Sequence, residues 1–240
     1  MNRFGAKFLI VLFFLFAFTP LMILWADARV DTLWTKALAV FNANKEWTPS
    51  RMEMQSEELT RRGETKNRER RIFKITVDKH NQMISEIIFA EKNGEDITEK
   101  ERSEREREGQ DNGLNFPSPF DPSVQDKVEV TPTDSLSYVN GHLCREFAVR
   151  MHWEKKRYYV GTGYLRADTG VPLRFVATVD PLPIFVQSID IQIDYNDDPD
   201  NWYMDRVEFE GKGTIILISR WYKSALIFSD YFRSGVTGVR

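Results

Sequence analysis

A chain of 240 residues has room for one domain of ordinary size, and a formal charge of -3 lacks the clustered basic footprint of a nucleic-acid binder. Its one cysteine, Cys144, excludes an intramolecular disulfide and lies too far from the N-terminus to carry an N-terminal lipid. The aromatic share of 13% is spread along the chain and favours strands, whose half-buried pleated faces suit such side chains.

Arg3 and Lys7 precede an apolar run from Phe8 to Phe18, which resumes after Thr19-Pro20 as Leu21 to Trp25. Ala26-Asp27-Ala28 follows with the small residues a signal peptidase accepts, so residues 1–28 read as a signal peptide cleaved after Ala28. An uncleaved anchor is the alternative, because residues 8–25 approach the ~20 apolar residues that span a bilayer. Either way the remainder is exported across a membrane, residues 29–240 forming a single β domain.

Val30, Leu33, Trp34, Ala37, Leu38 and Phe41 recur at helical spacing and predict an amphipathic helix that Asp31 can cap. Thr48-Pro49 ends that pattern. Strands are predicted at Arg51–Arg61, Arg70–Val77 and Gln82–Glu91, a meander with polar turns. A charged insertion at about 92–113 cannot supply core, and Thr98 with Glu101 frames either a short exposed helix, supported by an i, i+4 pair of Glu101 and Arg105, or a mobile insertion. Alternation returns at Ser137, and Asn140-Gly141 predicts a type I′ hairpin. Beyond it, Leu143, Phe147, Val149, Met151 and Trp153 share one face of a strand. Further strands follow at Arg157–Leu165, Val171–Val179, Phe185–Tyr195, Trp202–Glu210, Thr214–Tyr222 and Leu226–Phe232, making ten or eleven with no βαβ alternation.

Chemistry-bearing motifs are sparse. Asp168-Thr169-Gly170 matches the aspartic-protease tripeptide, but that mechanism needs two such carboxylates and one copy exists. Its flanks read as strands around a turn. His142, Cys144 and His152 share strand parity, yet Cys144 and His152 stand about 26 Å apart along one strand, too far to share a metal. With no serine elbow, nucleotide loop or zinc signature, the expectation is a protein without enzymatic activity, metal or cofactor.

The segment Gly163-Tyr164-Leu165-Arg166-Ala167-Asp168-Thr169-Gly170-Val171-Pro172-Leu173-Arg174, set in the order export signal, helix, meander, interrupted middle and long antiparallel run, resembles the LolA/LolB/RseB-like superfamily of periplasmic lipoprotein carriers and envelope regulators. That resemblance implies a mainly β fold with few helices, in which a strongly curved, incompletely closed antiparallel sheet, a half-open barrel, wraps one or more helices. It implies an apolar cavity for a lipid or acylated protein, with an inner-membrane transporter or outer-membrane acceptor as further partners. The candidate lining is Trp34, Leu38, Phe41, Met52, Met54, Phe73, Ile87 and Phe89, residues that would serve equally well as packed core. The alternative is an RseB-like sensor or scaffold that binds a protein partner.

Overall fold

The computed structural model describes residues 32–78, 83–108, 118–154, 156–215 and 218–234. The export segment and the cap at Asp31 lie outside these residues, and no described helix is long and apolar enough to cross a membrane. A helix, α1, occupies residues 32–44. Strands β1 (Trp47–Leu59), β2 (Thr65–Val77) and β3 (Met83–Lys92) form the expected meander, followed by β4 (Glu95–Asp96) and a second helix, α2 (Thr98–Glu108). A 3-10 turn at Pro122–Lys127 leads into β5 (Val128–Val139), β6 (His142–Glu154), β7 (Arg157–Arg166), β8 (Pro172–Asp180), β9 (Val186–Tyr195), β10 (Met204–Ile215) and β11 (Ile218–Arg233).

All eleven strands join one antiparallel sheet in the order β4-β3-β2-β1-β11-β10-β9-β8-β7-β6-β5, so β4 and β5 are free edges and the sheet does not close. β1 pairs with β11 along its whole length, from Trp47 opposite Arg233 to Leu59 opposite Trp221, which unites the N-terminal meander with the C-terminal run. Two turns behave as their sequences require. Asn140 and Gly141 both take positive φ, as do Asn93 and Gly94, the backbone of a type I′ turn.

One row of facing residues defines the inner face. Phe147, Gly163, Phe175, Ile193, Val207, Leu226 and Met54 are successive cross-strand partners from β6 round to β1. The indole of Trp34 from α1 sits on this row, 5.7 Å from the ring of Phe147 and 5.1 Å from that of Phe120. Gly163 has no side chain where those rings need room: a Cβ there would come within 3.4 Å of Phe120 and 3.6 Å of Trp34. The row continues from Met54 to Arg71 and Ala90, where it meets α2.

Here the sequence reading needs correction. The charged segment is no detached solvated helix, because Arg71 on the inner face forms a two-pronged ion pair with Glu101 at 2.8 and 3.1 Å. Arg105 lies 5.0 Å over the Phe73 ring and Arg102 donates to the Ile87 carbonyl at 2.9 Å. Glu101 therefore pairs across to β2, which the i, i+4 partner Arg105 does not need to satisfy. Two smaller corrections concern strand parity and strand bounds. Leu143 is 41% exposed while Cys144 is buried, since the alternation that buries Phe147, Val149 and Met151 breaks before Phe147. The segments Thr214–Tyr222 and Leu226–Phe232 are not separate strands; β10 ends at Ile215, which pairs with Ile218, and β11 runs unbroken to Arg233.

The outer face is polar, with Glu53–Arg70 at 2.8 Å and Arg174–Asp194 at 2.5 Å among its ion pairs. The Arg70 guanidinium holds the Glu53 carboxyl down at about 2. Gly161 marks the closest approach of neighbouring backbone: a Cβ there would overlap the Val176 carbonyl oxygen and stand 2.7 Å from the Ala177 Cα. Backbone cannot move aside as a flexible side chain can. Gly161→Ala is expected to lower unfolding free energy by about 3 kcal/mol, measured by denaturant titration, whereas Gly163→Ala, with only ring contacts to adjust, should cost clearly less.

Candidate functional site

α1 runs across the lower half of the inner face, and its C-terminal end is fastened by one buried side chain. Asn44 donates to the carbonyls of Val40 at 2.9 Å and Pro199 at 2.8 Å. Its carbonyl oxygen accepts from the Trp47 indole at 3.2 Å and the Trp202 backbone N–H at 3.3 Å. Two donors and two acceptor sites are the full capacity of an asparagine amide. At the other end of α1 the Asp168-Thr169-Gly170 turn closes against the helix. Gly170 has φ +81°, and a Cβ there would stand 2.8 Å from the Lys36 Cβ and 3.0 Å from the Leu33 carbonyl oxygen. Asp168 is paired to Arg166 at 2.9 Å and is exposed, in keeping with a turn. Among the described residues no group of three His, Cys, Asp or Glu could hold a metal; His142 instead meets Asp197 at 3.0 Å.

Held in this way, α1 does not fill the concavity. Beside its C-terminal end lies a cavity of about 420 Å³, within the ~300–1,000 Å³ typical of small-molecule sites. Its walls come from both flanks of the sheet: Met52, Ile75 and Met83 on β1 to β3, and Tyr195, Met204 and Phe228 on β9 to β11. In a flat sheet β3 and β9 would be about 24 Å apart, five strand spacings of ~4.8 Å, so the shared cavity is a direct consequence of curvature. Phe41 and Trp202 form the helix side, with ring centroids 5.8 Å apart. The Trp202 indole stacks on Tyr195 at 4.7 Å and donates to the Pro172 carbonyl at 2.8 Å. Polar groups from Lys45, Arg105, Asp121, Ser118 and Ser123 also contribute to the lining.

Of the three tyrosines at the lining, Tyr195 and Tyr231 present aromatic carbon rather than charge. Burial pushes the Tyr195 hydroxyl well above the usual phenol range, and the hydroxyl shares a 3.2 Å hydrogen bond with Ser118. Burial likewise raises Tyr231, whose hydroxyl donates to the Met204 carbonyl and whose ring stacks on Tyr203 at 3.8 Å. Cys144, the lone thiol, is also pushed up by burial.

Of the residues singled out in the sequence, Phe41 and Met52 line this cavity. Trp34, Phe73 and Ile87 belong to the packed interior, and Leu38 and Met54 pack against it. Phe89 is half-buried, with Arg70 lying 5.8 Å over its ring. Sequence reasoning missed Tyr195, Trp202, Met204, Phe228 and Tyr231. Tyr195 was accessible as the last inward step of the alternation from Ile189. Phe228 was accessible in the same way, two residues on from Leu226 in the predicted strand; Tyr231 was not, because it has the opposite parity and Asp230 beside it takes φ +56°.

Asn44→Ala leaves the Trp202 N–H, the Trp47 indole N–H and two carbonyls short of partners, and should cost about 3 kcal/mol of stability, with α1 amides losing hydrogen-exchange protection first. The raised Tyr195 hydroxyl has a folded pKa above its unfolded value of 10.0. The stability it contributes is complete below pH ~10 and is lost as pH rises toward the folded pKa. Tyr195→Phe should therefore show a shallower loss of stability above pH ~10 than the parent protein, read by denaturant midpoints across that range.

No family model matches the chain, and no curated protein does. Among solved structures, an outer membrane lipoprotein-sorting protein domain from Vibrio parahaemolyticus shows 11% identity and a TM-score of 0.43 over 86% of this chain and 93% of its own. A DUF1329 family protein from Desulfovibrio piger shows 10% identity and a TM-score of 0.38 over 87% and 93%. MucB of Pseudomonas aeruginosa, in its complex with MucA, shows 10% identity and a TM-score of 0.25 over 80% and 94%. Likenesses at these identities and TM-scores carry no argument about this chain, and the occupant of the cavity is read from its own residues.

Proposed function

We propose that the protein binds, without enzymatic activity, a lipid or the acyl group of a lipoprotein-like ligand in the cavity between α1 and the sheet, acting as a carrier in the cell envelope. The observation that carries this reading is the cavity itself: about 420 Å³ beside a packed core, held open by a helix that Asn44 ties down at its end. Met52, Met83 and Met204 contribute to its wall, and methionine adapts to chains of varied shape. Each methylene buried from water contributes ~0.8 kcal/mol, so ten of them reach the ~8 kcal/mol of a micromolar complex. Lys45 and Arg105 at the lining offer positive charge to a carboxylate or phosphate head. The neutral tyrosines and the single acid, Asp121, suit holding a ligand better than transferring protons.

A second reading has its own observation. β5 is a free edge, and Tyr138 on it is 76% exposed with Leu136 and Leu143 beside it. Strand addition by a protein partner would use such an edge, as the sensor or scaffold alternative requires.

Delipidated protein titrated with a fluorescent fatty acid should bind saturably at micromolar concentration. Met83→Trp, at a partly exposed position of the lining, should weaken binding at least tenfold while leaving thermal unfolding within a few degrees of the parent. Absence of saturable binding below about 100 μM would turn the balance to the edge-strand reading.

A further inference from the structure

The end of the sheet remote from the cavity carries a different surface. β1 ends at Leu59 opposite Trp221, β8 ends at Asp180 opposite Tyr158, and Gly213 faces Val186, so the β1–β2 turn, the β6–β7 turn and the β8–β9 loop lie along one rim. The inner face just beneath this rim is apolar and free of α1, with a cavity of about 220 Å³ bordered by Trp153, Tyr159, Val179, Ile189 and Phe209.

The β8–β9 loop reads Asp180-Pro181-Leu182-Pro183-Ile184-Phe185. Ile184 is 83% and Phe185 65% exposed, and Leu182 is also exposed. Phe185 holds φ +72°, a conformation that costs a bulky residue free energy and that marks a backbone fixed by its surroundings. Those surroundings are the Thr214 N–H donating to the Phe185 carbonyl at 2.8 Å and the Val186 N–H donating to the Pro183 carbonyl at 3.0 Å. The apolar side chains therefore stand on an ordered loop and point away from the core.

Cations flank them. Arg61 and Arg62 in the β1–β2 turn and Lys156 in the β6–β7 turn are exposed, and with Arg157 they outnumber the rim acids Glu64, Glu154 and Asp180. The β6–β7 turn adjoins the β8–β9 loop, and the β1–β2 turn is about 14 Å away, three strand spacings along the rim. Because the turns and the loop lie at one end of the sheet, the charges and the apolar tip can meet one surface together.

We infer that this rim docks on an anionic lipid bilayer, with Leu182, Ile184 and Phe185 entering the interface and Arg61, Arg62 and Lys156 meeting the headgroups. A bilayer suits the combination, because apolar residues beside basic ones bind by burial and charge at once. A protein groove would instead demand shape complementarity from a tip that projects. Docking here would also place the upper apolar cavity next to lipid. The inference holds whether or not the lower cavity takes an acyl chain.

The test uses an environment-sensitive fluorophore on the full chain. Cys144 is buried, so Ile184→Cys offers one reactive thiol at the tip, and Tyr138→Cys offers one at the opposite end. With phosphatidylcholine vesicles containing phosphatidylglycerol, the probe at 184 should shift to the blue, brighten several-fold and be quenched by spin-labelled acyl chains. The probe at 138 should not respond, and Arg61→Glu with Arg62→Glu should reduce the response at 184 several-fold. The position-specific readout separates rim docking from any attachment through residues 8–25. No response at 184, an equal response at both positions, or a change at 184 that grows with protein concentration in the absence of vesicles would each overturn the inference, the last by showing that a second copy covers the tip.

Discussion

The arrangement depends on a helix being held across a concave sheet without sinking into it. Asn44 supplies the constraint at one end, spending all four hydrogen-bonding positions of its amide on α1, the start of β1 and the entry to β10. A leucine at the same place would gain apolar burial, yet it would strand the Trp202 N–H and the Pro199 carbonyl away from water. The polar anchor thus fixes position where an apolar contact would permit sliding. At the other end, Gly170 brings the β7–β8 turn against Leu33 and Lys36 at a separation no other residue allows. Between these points Trp34, Phe120 and Phe147 pack ring against ring, whereas a cavity remains beside Phe41 and Trp202.

The inner face is consequently divided. Its centre is packed core, its lower part is the cavity beside α1, and its upper part on β6 to β10 is apolar without helical cover. Toward β2 and β3 a fourth solution operates, in which Arg71 lies on the inner row and α2 answers it with Glu101. This explains how a helix almost without apolar residues remains attached to the sheet. Its guanidinium groups serve as both cover and cation, Arg105 over Phe73 being the clearest case.

Much of the fold was legible because the period-two pattern is strong where one face is buried. The alternation from Ile189 to Tyr195 matches β9, and Asn140-Gly141 makes the turn its chemistry demands. That the sheet stays open around a helix was implied by the family resemblance and not by the alternation itself. The site was legible only in part. Phe41 and Met52 fall on the cavity, but Trp34, Phe73 and Ile87 look identical to them in a sequence, since an apolar residue does not record whether its neighbour is a side chain or a void. Where a positive φ intervenes, as at Asp230, parity itself is lost, and Tyr231 could not be placed. The role of α2 was hidden because its partner, Arg71, lies 30 residues earlier and on a face that pattern reasoning reserves for apolar groups.

The central claim is that the space between α1 and the sheet is a ligand site and not an imperfection of packing. Anomalous diffraction from crystals grown with a bromine-substituted fatty acid tests it most directly. The account predicts bromine peaks between Met52, Trp202 and Phe228, with α1 and the Asn44 hydrogen bonds unmoved. Bromine confined to the outer surface, or a cavity that collapses onto Phe41 in the crystal, would contradict it.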